Sequence, residues 1–470
     1  MMRHLHKSLL ALGTALSFAA APSAALANEV DDIVLREMQR AAVPGVAVGV
    51  IQRGTIRQLQ GYGVANLELA APVRPDTLFK TGALGMQFTA AGILLLAEDG
   101  KIGLDDPVSK YLPELPKTWA GVTIRHLLNH TSGVPATPSG EFQKEYTDAE
   151  LLQIITGQEL NFRPGTRWRF SYVDYVVLGY VMKRVTGENF ALFLKKRLFE
   201  PAGMIGARGI DELAIIPNRA TGYEFRDGGL RNAEKISAVA NSTADGSLYI
   251  SVLDYAAWAQ TMSRRAVLST ASWAEMAKPA VLVNGQQCSY GLGWYQNGGA
   301  NAANWYHSGM WQGFQTFAVH APADDLTVVV LANGETADSA SMARRIGQAM
   351  ARPSGQKAAA PQSDAPAGLL RQVGTVLDDL AANRVDRAKY VDYAKIDVTE
   401  MVAQYAMLME PMGKRQEVAL FDTRKECGGT THRLRARFER GAIDIVMATD
   451  ADGRIGNLDI VPISAWEAPL

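Results

Sequence analysis

The stretch LFKTGALGMQFTAAGILLLAED, residues 78–99, decides the fold. From Gly82 to Asp99 it reads as a helix, and Phe88, Ala91, Leu94, Leu95 and Ala97 belong to a face so broad that almost no polar side remains. A helix apolar all round must be buried, so this one is expected at the centre of a large domain. Immediately before it stand Lys80 and Thr81, and the chemistry of any site at the helix start turns on the residues that follow.

Outward from this helix, residues 43–51 (VPGVAVGVI) and 55–68 (TIRQLQGYGVANLE) flank Arg53-Gly54 and read as strand, turn, strand. A second helix is expected from about Tyr175 to Thr186. Strand-like runs return at Gly291–Gln296, Gln315–Ala321 and Thr327–Asn333. Strands at both ends with helices between predict one sheet assembled from distant segments.

The chain has 470 residues, 47% hydrophobic and 20% charged, with Lys+Arg 47 against Asp+Glu 48. That balance excludes a disordered acidic chain and a basic nucleic-acid binder. Arg3 and Lys7, the apolar run Leu9–Ala20 and Ala25-Leu26-Ala27 have the order of a cleaved export signal, so residues 1–27 are set apart and a periplasmic or secreted location is expected. No later apolar run is long enough to span a bilayer. The two cysteines, Cys288 and Cys427, are too few for a disulfide scaffold or thiolate zinc cluster and, being far apart in sequence, are expected as separate buried thiols.

Residues 28–351 are read as the main domain. Residues 352–367, rich in Pro, Ala, Ser and Gly, are read as a linker. Residues 368–470 form a small α+β domain, with helices over Leu369–Ala382 and Val398–Leu408 and then alternating strands with turns at Arg440-Gly441 and Asp452-Gly453. That element order resembles the cone-shaped domains of the nuclear transport factor 2 type.

Residues 78–116 and the following VTIRHLLNHTSGVP closely resemble the serine β-lactamase and penicillin-binding-protein-like superfamily, in particular class C β-lactamases, family VIII esterases and D-aminopeptidases. RPGTRWRFSYVDYVVLGYVMKRVTG, SLYISVLDYAAW, YGLGW and HSGMWQGF extend the resemblance over about residues 30–350. It implies an α/β fold, an antiparallel sheet flanked by helices with an all-helical region. It also implies a serine at the start of the central helix, a lysine three residues on that takes its proton, a tyrosine relay and an H-x-G or K-T-G strand beside the substrate. Backbone N–H groups of the strand and helix start would form the oxyanion hole.

At those positions this chain departs from the pattern. The serine position is Ala83 and the lysine position Met86; in the second motif the tyrosine is Phe170 and the asparagine Tyr172. Only His307-Ser308-Gly309 survives, before Met310. Methionine for lysine and phenylalanine for tyrosine keep volume while removing polar atoms that would otherwise be buried without partners. Acyl-serine chemistry is therefore expected to be lost. What remains is a pseudoenzyme cleft that binds a small-molecule, saccharide or peptide ligand through Ala83, Tyr172, His307, Ser308, Gly309 and Met310.

The alternative is a hydrolase or lyase acting on glycoside, ester or amide substrates with relocated groups. Its candidates are His307, Tyr172 and Asp174, with Asp245 and Glu141 as further carboxylates near the pocket. Ser132, Ser171 and Ser308 are the serines that could replace the nucleophile; Ser132 lacks a neighbouring base in sequence, and Ser171 and Ser308 have no evident base beyond His307. His126 and His130 are spaced i, i+4 but have no acidic third ligand, so no metal and no cofactor is expected. The partners expected are a ligand in the cleft and a second copy of the chain, with no nucleic acid.

Overall fold

A computed structural model describes residues 24–135, 144–226, 228–233, 236–297, 304–350, 361–390 and 402–463, the last span with gaps at 403–404, 407–408, 428 and 451. The expected leader up to residue 23, Glu141, residues 351–360 and most of the expected helix Val398–Leu408 lie outside the described residues. Within them the fold is mixed α/β, with an antiparallel sheet flanked by helices and a strand-rich C-terminal region.

Seven strands form the main sheet, in the order Ala71–Pro72, Thr55–Asn66, Gly45–Gln52, Leu326–Ala332, Phe314–Ala321, Asn304–Trp311, Tyr295–Asn297. The central pair joins the two ends of the family-like region, with Val46 opposite Ala332 and Gln52 opposite Leu326. Successive side chains of a strand point to opposite faces, and here both faces are covered. Val46, Val48, Val50, Val328 and Val330 join one apolar core, beneath the helices Ala24–Arg40 and Ser339–Met350. Ala47, Ile51, Val329 and Leu331 join the other, larger core on the side of the central helix. Two-sided burial explains why Gly45–Gln52 is a nearly unbroken apolar run rather than an alternating one.

The α-helix at the centre starts four residues later than its sequence suggests. Gly82–Gly85 is a tight 3₁₀ turn, and the α-helix proper runs Met86–Glu98 with every side chain from Met86 to Leu96 buried. Its polar residues are paired internally: Gln87 donates to the Leu84 carbonyl (2.8 Å) and accepts from Trp258 Nε1 (2.7 Å), and Thr89 donates to the Ala244 carbonyl (2.7 Å). The second expected helix spans Tyr172–Thr186, capped by Ser171 at its start and by Gly187 in the left-handed conformation at its end.

In the C-terminal region the helix Ala367–Ala381 packs against a four-stranded antiparallel meander, Arg415–Glu426, Gly429–Phe438, Gly441–Asp450 and Ile455–Ile463. The expected turns at 440–441 and 452–453 fall between its strands. The two cysteines are not separate thiols: Cys288 and Cys427 form a disulfide with Cα atoms 4.6 Å apart across a sequence separation of 139 residues. Cys427 sits in the turn between the first two strands of the meander and packs with Ala280, Leu282 and Cys288, a placement that sequence distance does not encode.

Candidate functional site

Three segments meet where the central helix begins. Gly82 has φ +52°, and a Cβ on it would lie 2.6 Å from the Met310 nitrogen. A Cβ on Gly309 would lie 1.9 Å from the Thr81 carbonyl oxygen, and one on Gly246 1.8 Å from the Gly82 carbonyl oxygen. Glycine at all three positions lets the strand Asn304–Trp311, the turn Gly82–Gly85 and the segment around Gly246 close to backbone contact. Thr81 fixes the junction by donating to the Gly246 carbonyl (2.5 Å) and by accepting at its own carbonyl from Thr316 (2.7 Å). The backbone of Ala83 and Met310, the two sides of the expected oxyanion hole, is therefore juxtaposed.

Neither Ala83 nor Met86 brings a hydroxyl or an amine to that junction. Ala83 is 5% exposed and offers a methyl group, and Met86 is wholly buried in the larger core. An amine at Met86 would be desolvated with no hydroxyl to serve. Phe170 turns its ring to His130 (4.6 Å between centroids), Tyr172 (5.0 Å) and His307 (6.1 Å) and stacks on Tyr295 (6.2 Å). Tyr172, the first residue of its helix and half-buried, presents an edge to Phe170.

His307 is inward but not available. In its strand His307 and Gly309 are buried while Ser308 and Met310 are exposed, so Ser308 and Met310 project from the opposite face of the pleat. The ring of His307 is 1% exposed, with Nδ1 2.6 Å from the Ser308 carbonyl and Nε2 3.1 Å from the Tyr290 hydroxyl. A carbonyl only accepts, so Nδ1 carries the proton and Nε2 accepts from Tyr290. Burial pushes the imidazole down to about 4, and at neutral pH it is uncharged and both nitrogens are occupied. The strand is second from the sheet edge, but Tyr295–Asn297 pairs it only at Asn304–Tyr306.

Asp174 is held in a buried cluster. It is fully buried, accepts from the Ser132 hydroxyl (2.5 Å) and lies 2.9 Å from His130 Nδ1, to which the Ser171 backbone N–H also points (3.3 Å). His130 Nδ1 either donates to the carboxylate or offers its single lone pair, for which the 2.9 Å contact with Asp174 and the longer one from the Ser171 N–H compete; in both cases the pair is a hydrogen bond between desolvated groups. Burial raises Asp174 well above the usual carboxylate range and holds His130 well below the usual imidazole range, in agreement. The cluster is a structural knot, and Ser132 is spent in it. Ser171 caps the helix Tyr172–Thr186 and donates to the Pro135 carbonyl (2.8 Å). His126 does not converge with His130, because its Nδ1 accepts from the Thr123 backbone in a capping box.

Two groups were less legible in sequence, and a third, Asp245, is marked there only as a carboxylate near the pocket. Tyr290, a fully buried phenol at the start of the YGLGW motif, decides the state of His307, and only its position in that motif marked it. Tyr295 and Trp168 complete an aromatic wall around His130 and Tyr290, with centroid separations of 4.8 Å for Tyr290–Tyr295 and 5.8 Å for Trp168–Tyr290. Asp245, beside Gly246 and 8% exposed, accepts from the Thr243 hydroxyl (2.6 Å), and burial pushes its carboxyl up to about 6. No group of three or more His, Cys, Asp or Glu suited to a metal occurs among the described residues, and none of their helices is long and apolar enough to cross a membrane.

A Beta-lactamase family model matches residues 30–351. Penicillin-binding protein 4* of Bacillus subtilis (strain 168) is 30% identical over 302 residues, 60% of this chain and 66% of that protein. Protein flp of Staphylococcus aureus (strain MRSA252) is 24% identical over 315 residues, 65% of this chain and 62% of that protein, so the chain covers less than two thirds of the length of both curated relatives. Among solved structures, the octameric penicillin-binding protein homologue from Pyrococcus abyssi superposes with a TM-score of 0.62 at 20% identity, over 93% of this chain and 98% of that one. D-alanine carboxypeptidase AmpC from Burkholderia cenocepacia gives 0.59 at 23% identity, over 70% and 100%. These two likenesses concern the fold. With the sheet, the buried central helix and the three-segment junction in place, the chain belongs to the Beta-lactamase family.

Proposed function

We propose that this is an exported, periplasmic or secreted member of the family that has given up acyl-serine chemistry and keeps its cleft as a ligand-binding site. The observation that carries the reading is the first turn of the central helix, where a methyl group at Ala83 and a buried thioether at Met86 stand three residues apart. The engagement of His307 by Tyr290, and of Ser132 and Ser171 by their neighbours, supports it, because none is left as a nucleophile with a base. The half-buried rings of Phe170, Tyr172 and Tyr295 suit a small-molecule, saccharide or peptide ligand that stacks on aromatic faces. A second copy of the chain as partner belongs to the same proposal, and light scattering reads it directly.

The test is incubation of the purified protein with a fluorescent penicillin and a fluorophosphonate probe. No covalent adduct is expected, and stoichiometric labelling at Ser132, Ser171 or Ser308 overturns the reading. A thermal-shift series with cell-wall fragments, oligosaccharides and small carboxylates then addresses binding.

One observation favours a second reading, a hydrolase or lyase with relocated groups. Asp245, a carboxyl that titrates near pH 6 one residue from the Gly82–Gly246 contact, has the tuning of a general acid or base. Turnover of any compound found to bind, abolished in Asp245→Asn with binding retained, would select this reading over the first.

A further inference from the structure

The disulfide between Cys288 and Cys427 joins the C-terminal sheet to the wall of the cleft. Cys288 lies in a loop that folds back on itself, through hydrogen bonds from Cys288 N to the Ala280 carbonyl (2.8 Å) and from Ala280 N to the Tyr290 carbonyl (2.7 Å). The same loop is tied to the segment before Phe170 by Val283 N donating to the Gly165 carbonyl (2.9 Å). Ala280, Leu282, Cys288 and Cys427 form a small buried apolar cluster, and Trp168 packs on it. Trp168 also touches Tyr290 and Tyr295, and stands edge-on to His130 (6.2 Å). Two residues along from Cys288, Tyr290 holds His307. Covalent tether, loop and aromatic wall are thus one continuous assembly.

We propose that this disulfide is a strap that holds the meander's first turn against the loop Ala280–Tyr290, so that the order of the Trp168–Tyr290 wall follows the oxidation state of the two cysteines. An apolar cluster of this size is far smaller than a stable protein interface, which engages roughly 20–30 residues a side. Once the bond is cut, docking of the turn relies on that cluster and on the effective concentration set by the connecting chain. The reductant is a dithiol. Its thiolate attacks one sulfur of the pair, breaking the S–S bond and forming a mixed disulfide while the other cysteine leaves as thiolate and takes a proton. The second thiol of the reductant then displaces the remaining cysteine. The pair gains two electrons and two protons, and the dithiol becomes a cyclic disulfide. Both cysteines are less than a tenth exposed, so the strap should resist reduction until the turn lifts.

The test uses the full chain in three forms: as purified under oxidising conditions, after dithiothreitol, and as the double variant Cys288→Ser/Cys427→Ser. Thiol titration in denaturant should find none in the first form and two in the second; two thiols in the oxidised protein overturn the proposal. Hydrogen exchange followed by mass spectrometry should show amides of residues 163–168 and 280–290 exchanging at least tenfold faster in the second and third forms, with the helix Met86–Glu98 unchanged. Equal protection of the wall in all forms overturns the proposal, and so does loosening of the helix to the same degree, which would mark a global staple rather than a local strap. Should the double variant fail to fold, the reduced wild type carries the comparison, and a chain that unfolds on reduction counts against the proposal.

Discussion

The Tyr290 hydroxyl stands 3.1 Å from Nε2 of His307, and both side chains are buried. The bond engages the buried imidazole of the surviving His307-Ser308-Gly309 motif. Removing the hydroxyl in Tyr290→Phe leaves a desolvated imidazole nitrogen without a donor, a loss of about 1–3 kcal/mol. Urea denaturation of the variant checks this, and unchanged stability would mean that water reaches Nε2.

The same histidine predicts how stability falls in acid. Its folded pKa is about 4 against an ordinary 6.5, so the unfolded chain binds the extra proton first. The stabilisation is complete above pH 6.5 and is lost as pH falls towards 4, by about 3 kcal/mol in all. Denaturation midpoints for wild type and His307→Gln should therefore approach each other over that window. Parallel curves would contradict the assignment.

Asp245 acts with the opposite sign. Its carboxyl is raised from 3.8 to about 6, so the folded chain holds a proton that the unfolded chain has released, and stability declines as pH rises from about 4 to 6. Replacing Asp245 by Asn should remove a decline of about 3 kcal/mol. The comparison is again a difference between variant and wild type across the pH series, and a difference that does not vary with pH would count against burial of the charge.

Restoring the nucleophile alone should not restore the chemistry. In Ala83→Ser the positions where the family pattern has its proton acceptors would still hold a thioether at Met86 and a phenyl ring at Phe170, neither of which can take the new hydroxyl's proton. Loss of one member of a nucleophile–base unit removes roughly four to six orders of magnitude of rate. Measurable turnover of a nitrophenyl ester by this single variant would contradict the reading.

Gly309→Ala places a methyl carbon 1.9 Å from the Thr81 carbonyl oxygen, a backbone atom that Thr316 holds in place. Overpacking of this kind costs about 1–3 kcal/mol or more. A drop in melting temperature is expected, while Gly100→Ala, at a positive-φ glycine with open space around it, reports the backbone strain alone.

Much of the scaffold was legible because long segments carry unambiguous periodicity. The apolar run after Met86 could only be a buried helix, and the two-sided burial of Gly45–Gln52 showed as an unbroken valine-rich run. The degenerate positions Ala83, Met86, Phe170 and Tyr172 were equally plain, since flanking residues pinned their register. Side-chain partners were not. His307 read as a cleft-facing group because a strand pattern gives a face, not the phenol waiting on it. Asp174 looked like a candidate catalyst, yet its neighbours Ser132 and His130 come from a segment some forty residues earlier. The bridge between Cys288 and Cys427 depends on where one turn of the C-terminal meander lands, and local sequence carries no such information.

The pairing of Val46 with Ala332 also bears on how the chain is made. The first long strand of the sheet emerges early, yet its central partner is synthesised only after the whole helical region has followed. Until Leu326–Ala332 arrives, the valine-rich face of Gly45–Gln52 has one neighbouring strand and an open, aggregation-prone edge. Sheet closure has to await nearly the entire family region, a high-contact-order step and therefore a slow one.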